Sequence, residues 1–285
     1  MLFTVSKTGI RPNRINKQQA RFENDLNKDE PLLSVENLSV KLQKPGTSSF
    51  YLNNISFTIS SGKTLGLIGG SGSGKTMTAL AILGLLPGWC SELKGTLNFA
   101  GQSIDFADTQ TIVGLRGRHI AMVFQDPLAC LNPVIRVGDQ IADIVKRHQQ
   151  LSGSNCKSVV YELLDKVRLG NAKSLYKKYP HQLSGGMAQR ILLAMALGCK
   201  PAILIADEPT TALDITTQGQ ILKLLDDLQK QDRFGMLYIS HDIRVVKYLA
   251  DDIVVLYGGE IVESGMTVHV VENPQQEYTK HLLTV

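Results

Sequence analysis

The sequence predicts an α/β fold, a mostly parallel sheet covered by helices, on two observations. From residue 202 onward, AILIAD, TTQGQILKLLDDLQKQ, GMLYIS, DIRVVKYLA and DIVVLY read as strand, helix, strand, helix, strand, the alternation of a parallel sheet with helical crossovers. Earlier, the apolar run KTLGLIGG (63–70) is followed closely by KTMTALAILGLL (75–86), whose spacing is helical. A buried strand therefore feeds a helix through a glycine-rich turn.

In chain order, residues 1–30 are polar and poor in large apolar groups, which predicts a flexible extension ahead of a folded domain over 31–285. PLLSVENLSVKL (31–42), FYLNNISFTI (50–59) and KTLGLIGG then read as strands separated by Gly/Ser turns. The helix over 75–86 is expected to stop at Pro87-Gly88. GTLNFAG (95–101) and HIAMVF (119–124) predict two more strands. Between Val134 and Tyr179 the pattern turns helical and heavily charged, as in IADIVKRHQQL and VVYELLDKVRLG. With the helical run MAQRILLAMALG added, this predicts a helical subdomain inserted over about 134–200.

Composition excludes several classes. The 285 residues are 43% hydrophobic, enough for a core, and 30 basic against 26 acidic residues are spread without the basic block of a nucleic-acid binder. Cys90, Cys130, Cys156 and Cys199 lie far apart with no metal-ligand spacing, which predicts free thiols in a reducing compartment. No apolar run approaches the ~18 residues of a membrane span, and the opening residues lack a signal-peptide pattern. The expectation is a cytosolic protein that meets a membrane only through another chain.

The chemistry lies in short motifs. GGSGSGKT (69–76) matches G-x-x-x-x-G-K-[ST], with Gly69, Gly74, Lys75 and Thr76 in the fixed places and Gly70, Ser71, Gly72 and Ser73 between them. Such a loop wraps a phosphate in backbone N–H groups at a helix N-terminus, while Lys75 reaches the β/γ-phosphates and the Thr76 hydroxyl ligates Mg2+. ILIADEP (203–209) supplies Asp207 for the metal and Glu208 to polarise an attacking water. Gln125, in VFQDP, ends a strand with an amide able to touch both metal and water. His241, in YISHD, follows a strand where a donor could reach a γ-phosphate. Ser184, in HQLSGGMAQR, admits two readings, a helix N-cap alone or half of an anion site.

Taken in order, GGSGSGKT, VFQDP, LSGGMAQR, ILIADEP, TALD and ISHD resemble the motifs of ATP-binding subunits of ABC transporters, over Leu32 to about Val285. The resemblance implies a P-loop NTPase core with a small antiparallel β subdomain and an inserted α-helical subdomain. It also implies a head-to-tail dimer holding two ATP molecules. Ser184, Gly185 and Gly186 then match the signature that faces the partner subunit's ATP, and Asp214 matches the loop linking the two sites. Gln125 and His241 match the family's glutamine and histidine switches. An early aromatic is expected to stack on adenine, with Tyr51 and Phe50 as candidates. Two departures stand out: Met187 occupies the usual glutamine position of the signature, and Gly70 replaces the more usual Pro or Glu, which should loosen the loop.

VFQDPLACLNPVIRVGDQI and the ending NPQQEYTKHLL resemble the oligopeptide and nickel importers within this family. GLLPG, SGGMAQR and IADEPTTALD look most like the smaller nickel-uptake subunits, so nickel or a nickel chelate is the expected solute, with oligopeptides as the alternative. An exporter ATPase and a soluble non-transport ATPase are further rivals. The implied partners are a second ATPase subunit, identical or related, two membrane permeases, and indirectly an extracytoplasmic solute-binding protein, with the chain peripheral on the cytoplasmic face of the inner membrane.

Overall fold

A computed structural model describes residues 31–42, 50–211 and 213–284; the predicted extension over 1–30 lies outside the described residues. Its strands are β1 (Leu33–Leu42), β2 (Phe50–Ile59), β3 (Thr64–Ile68), β4 (Cys90–Phe99), β5 (Gln102–Asp105), β6 (Ile120–Val123), β7 (Ile203–Asp207), β8 (Gly235–Ser240), β9 (Asp252–Tyr257) and β10 (Glu260–Met266). They divide between two sheets. An antiparallel sheet runs β2-β1-β4-β5, and a second sheet runs β10-β9-β3-β8-β7-β6. In the second, every pairing is parallel except that of β10 with β9.

The side-chain period of two explains why the central strands read as unbroken apolar runs. Leu65, Leu67, Ile203, Ile205, Leu237 and Ile239 pack into the core shared with the antiparallel sheet. Their neighbours Ile68, Leu204, Ala206, Met236 and Tyr238 pack into the core on the opposite face, built mainly with helices. Each strand thus has two apolar faces and no polar side to show in the sequence.

The second core takes in helices α4 (Val137–Gln149), α5 (Gly153–Lys166) and α6 (Ala172–Tyr176) of the charged stretch and α7 (Gly185–Gly198) beyond it, all following the short α3 (Pro127–Cys130). Their contacts come from Ile141 and Val145, Val160 and Leu164, and Ile191 and Leu193. Further helices are α1 (Lys75–Ile82), α2 (Thr109–Leu115), α8 (Ile215–Asp232), α9 (Ile243–Leu249), α10 (Thr267–Glu272) and α11 (Glu277–Thr284).

Three differences from the sequence reading have physical causes. The first helix ends at Ile82, ahead of the expected stop at Pro87-Gly88. Gly84 takes the left-handed conformation at φ +60°, and the N–H groups of Gly84 and Leu85 donate to the carbonyls of Ala81 and Leu80, a Schellman closure. The strands read together at 31–70 belong to different sheets, because the chain turns at Ser60 to Lys63 and crosses from one to the other. Finally, β5, β10, α2, α10 and α11 carried no periodic signal: they are short, and β10 is half exposed, so tertiary contacts hold them.

The β9–β10 turn ties both sheets to the loop after β3. Gly259 donates its N–H to the Ser73 carbonyl at 3.1 Å and accepts from Asn53 N–H at 2.8 Å. It sits at φ +85°, where an added Cβ would lie 2.2 Å from the Tyr51 carbonyl. Gly259→Ala is therefore expected to destabilise the chain by at least about 2 kcal/mol, from left-handed strain plus the clash. A denaturant titration checks this, and an unchanged midpoint would contradict the tight brace.

Candidate active site

In an open parallel sheet, the loops leaving the carboxyl ends of adjacent strands converge on one edge. Here β3 leads into residues 69–74, β6 into Gln125, β7 ends at Asp207 with Glu208 next, and β8 leads to His241. Lys75, Gln125, Asp207, Glu208 and His241, expected from four separate motifs, meet there.

The Glu208 carboxylate is the junction. Its Oε1 lies 3.2 Å from His241 Nδ1 and 3.9 Å from Lys75 Nζ. Its Oε2 accepts from Thr211 Oγ1 at 3.0 Å and, at the long limit of a hydrogen bond, from Gln125 Nε2 at 3.4 Å. Glu208 adopts φ +44°, uncommon for a residue with a side chain, while its N–H donates to the Ile239 carbonyl at 3.0 Å. That backbone bond to β8 holds the strained turn that aims the carboxylate inward.

Lys75 is buried, 6% exposed, and its ammonium donates to the carbonyls of Gly69 at 2.8 Å and Gly70 at 3.0 Å. Burial lowers its pKa, and the charges of Glu208 and Asp207 oppose that. The loop preceding it has the form of an anion cradle: Gly72 and Gly74 are left-handed, and Gly74 stands at the N-terminus of α1. Ser73 Oγ is buried there without a hydrogen-bond partner.

Asp207 is 5% exposed, and burial pushes its carboxyl up to about 6, with Glu208's charge adding to the rise while a Thr76 hydrogen bond and Lys75 oppose it. One oxygen, Oδ1, is buried without a partner. A carboxylate and a hydroxyl in contact, with an orphaned oxygen and the Gln125 amide just beyond the adjacent strand β6, form a hard-oxygen donor set of the kind Mg2+ takes.

The signature residues stand apart from this cluster. Ser184 caps α7, its Oγ accepting from Met187 N–H at 3.3 Å, so the cap reading holds locally. A Cβ on Gly186 would lie 2.6 Å from Thr217 Cγ2, and one on Gly185 would lie 3.4 Å from Leu213, so the signature packs on the start of α8. Asp214 caps α8, accepting from Thr217 N–H at 2.9 Å, and those bonds hold its carboxyl below the ordinary range. Among the described residues, no hydrogen bond links Ser184, Gly185 or Gly186 to residues 69–76. Tyr51 meets Trp89 edge to face at 6.5 Å between centroids; the Phe50 side chain lies outside the described residues.

Sequence reasoning missed Thr211, Trp89 and Tyr278 at the site. Thr211 lay within a quoted motif, and Trp89 is the single tryptophan, directly after Pro87-Gly88. Tyr278 lay in the ending noted only as a family resemblance, yet its Oη accepts from Gly70 N–H at 2.7 Å.

A phosphate loop, an acidic strand end, a glutamine and a histidine on one sheet edge, beside an antiparallel sheet and a helical insertion, are the features of an ATP-binding cassette. The family model for ABC transporters matches residues 52–211, and the chain belongs to that family. It is 43% identical over 258 residues to the glutathione import ATP-binding protein GsiA of Escherichia coli (strain K12), covering 88% of this chain and 41% of that protein. It is also 43% identical over 255 residues to the peptidoglycan transport ATP-binding protein YejF of Agrobacterium fabrum, covering 89% of this chain and 47% of that protein. The chain thus spans less than half the length of these relatives. Among solved structures, dimeric MJ0796, a bacterial ABC transporter cassette, superposes with a TM-score of 0.72 at 26% identity over 82% of this chain and 98% of that one. A second dimeric MJ0796 structure, in a post-hydrolysis state with ADP and Pi, gives 0.71 at the same identity and coverage.

The raised pKa of Asp207 has a consequence for stability. Between about 4 and 6 the folded chain holds a proton that the unfolded chain releases, so stability falls as pH rises through that window. Above it, the buried charge costs about 3 kcal/mol. Asp207→Asn is expected to raise the melting temperature of the chain in EDTA at pH 7.5, to lose that advantage toward pH 4, and to abolish any stabilisation by Mg2+. Identical melting curves for the two proteins at pH 7.5 would contradict the buried, unpaid charge.

Proposed function

We propose that the chain binds and hydrolyses ATP as one of two paired ATPase subunits of a membrane importer, peripheral on the cytoplasmic face. The observation that carries this reading is the convergence of Lys75, Gln125, His241 and Thr211 on the Glu208 carboxylate. Residues 69–76 cradle the phosphates, and Glu208 accepts a proton from the attacking water as general base. His241 donates toward the terminal phosphate and Gln125 orients the water. Thr76, Asp207 and Gln125 are the residues that would hold Mg2+, which when bound supplies charge neutralisation of the phosphates. Tyr51 provides an aromatic face for adenine, with Trp89 beside it.

The second half of each site comes from a partner ATPase subunit. Ser184, Gly185 and Gly186 offer a capped helix N-terminus with free approach for an anion. The adjacent Ile215, 88% exposed beside Asp214, suits a face that another subunit covers. Two membrane permeases and a solute-binding protein complete the importer, with the helical stretch over about 134–200 as the arm toward the membrane; no described helix is long and apolar enough to cross one.

For the solute, the relatives favour a peptide-type substrate such as glutathione or a cell-wall peptide over the nickel expected from the sequence, since the names of GsiA and YejF speak of glutathione and peptidoglycan. Nothing in the structure explains Met187 in place of glutamine in the signature. Uptake of labelled glutathione is expected to fall in a strain lacking this gene while nickel uptake persists; the reverse pattern would restore nickel.

Glu208→Gln is expected to keep ATP binding, to slow turnover at least about 100-fold, and to trap a closed dimer visible by size-exclusion chromatography with ATP. Brisk hydrolysis by that variant would remove Glu208 as the base. In the same assay, Ser184→Arg should lose turnover while costing only about 1 kcal/mol of stability from the cap. Outright unfolding would leave Ser184 as a helix cap alone.

A further inference from the structure

The C-terminal helix α11 reaches back across the chain to the phosphate loop, and no step of the proposed hydrolysis uses it. Tyr278 Oη accepts from Gly70 N–H at 2.7 Å, and a Cβ built on Gly70 would stand 3.1 Å from that oxygen. The tyrosine ring packs on Tyr257 at 4.4 Å between centroids, at the end of β9. The approach to α11 is fixed by Glu263, whose carboxylate accepts from the N–H groups of Gln275 at 2.8 Å and Gln276 at 3.2 Å. The phenol is thus held on three elements distant in sequence from residues 69–76.

The peptide group that Tyr278 grips is the one that holds Lys75. The trans peptide between Gly69 and Gly70 carries the N–H bonded to Tyr278 and the C=O bonded to Lys75 Nζ at 2.8 Å. In a trans peptide the N–H and C=O lie in one rigid plane and point in opposite directions from its two edges, so the hydroxyl and the ammonium hold the same peptide unit from opposite edges. Glycine on both flanks makes that plane easy to rotate, because neither neighbour has a Cβ to resist it. Gly70 also accepts from Lys75 Nζ at 3.0 Å and from Ser73 N–H at 3.2 Å through its own carbonyl. A proline at position 70 would have no N–H to offer Tyr278.

We propose that Tyr278 is a positioning residue for nucleotide binding: its hydroxyl, through the Gly69–Gly70 peptide, sets the orientation of the phosphate loop and of the Lys75 ammonium. The looseness expected from Gly70 is thereby removed by a contact from the far end of the chain. The hydroxyl does this work, while the ring supplies packing.

This inference rests on the ATP-binding reading, and one titration series separates the two. Fluorescent ATP is titrated into the full chain, Lys75→Ala, Tyr278→Phe and Tyr278→Leu, with a melting curve for each. Tyr278→Phe keeps the ring and loses the oxygen; its ATP affinity is expected to fall about threefold to tenfold, the worth of one hydrogen bond, with only a small drop in melting temperature in the absence of nucleotide. Tyr278→Leu is expected to show the same loss of affinity together with a lowered melting temperature. In steady-state hydrolysis, Tyr278→Phe should raise KM for ATP with kcat preserved. Wild-type affinity in Tyr278→Phe, with loss only in Tyr278→Leu, would reduce Tyr278 to a packing residue and overturn the inference alone. No binding by the full chain would overturn the nucleotide reading and the inference with it, while equal affinity in the full chain and Lys75→Ala would remove the Lys75 contact through which Tyr278 acts and so overturn the inference alone.

Discussion

The Glu208 carboxylate is the contact on which the rest of the site depends. Four residues from four loops address its two oxygens, and none of them is near it in sequence apart from Thr211. Such a meeting requires that β3, β6, β7 and β8 run parallel and in register, so that their carboxyl ends finish at one edge. It also requires the left-handed turn at Glu208, held by its bond to β8, because a strand continued in extended geometry would send the next side chain to the opposite face. A carboxylate so surrounded, with a lysine and a histidine on one oxygen and two neutral donors on the other, is a point where loops of different origin can be coupled.

Two sets of braces keep that edge in shape. The internal one is the pair of cores on either face of the six-stranded sheet, which leaves the strands no freedom to shift register without moving every side chain to the wrong face. The external one is a ring of contacts on the phosphate loop: Gly259 on the Ser73 carbonyl, and Tyr278 on the Gly70 amide. A loop rich in glycine has to lose conformational entropy to become a cradle. Contacts from the β9–β10 turn and α11 impose that order before any ligand arrives.

The signature illustrates how a local feature and a distant one share a geometry. Ser184 is a helix cap by its own hydrogen bond, and Gly186 is small because Thr217 leaves no room for a side chain. Asp214 likewise caps the helix against which the signature leans. A capped N-terminus with open N–H groups is stable without a ligand and receptive to an anion. Its separation from the chain's own phosphate loop is consistent with the family to which the chain belongs, whose solved relative MJ0796 is dimeric.

The sequence by itself determined the α/β class, the phosphate loop, the acidic pair Asp207-Glu208 and the roster of polar residues at strand ends. These rest on local spacing, where period and glycine placement are dictated by backbone sterics. It also carried the helix after the loop, though its end was misjudged because Gly84 closes the helix through a left-handed turn before the proline. Only the tertiary structure decided that the first strands split between two sheets, and that β10 and α11 fold back on the phosphate loop. The reason is physical: β10 and α11 are short and largely exposed, so their positions come from partners some two hundred residues away. Asn53 with Glu260 and Gly70 with Tyr278 are such pairs, joined by bonds with no periodic trace in the chain.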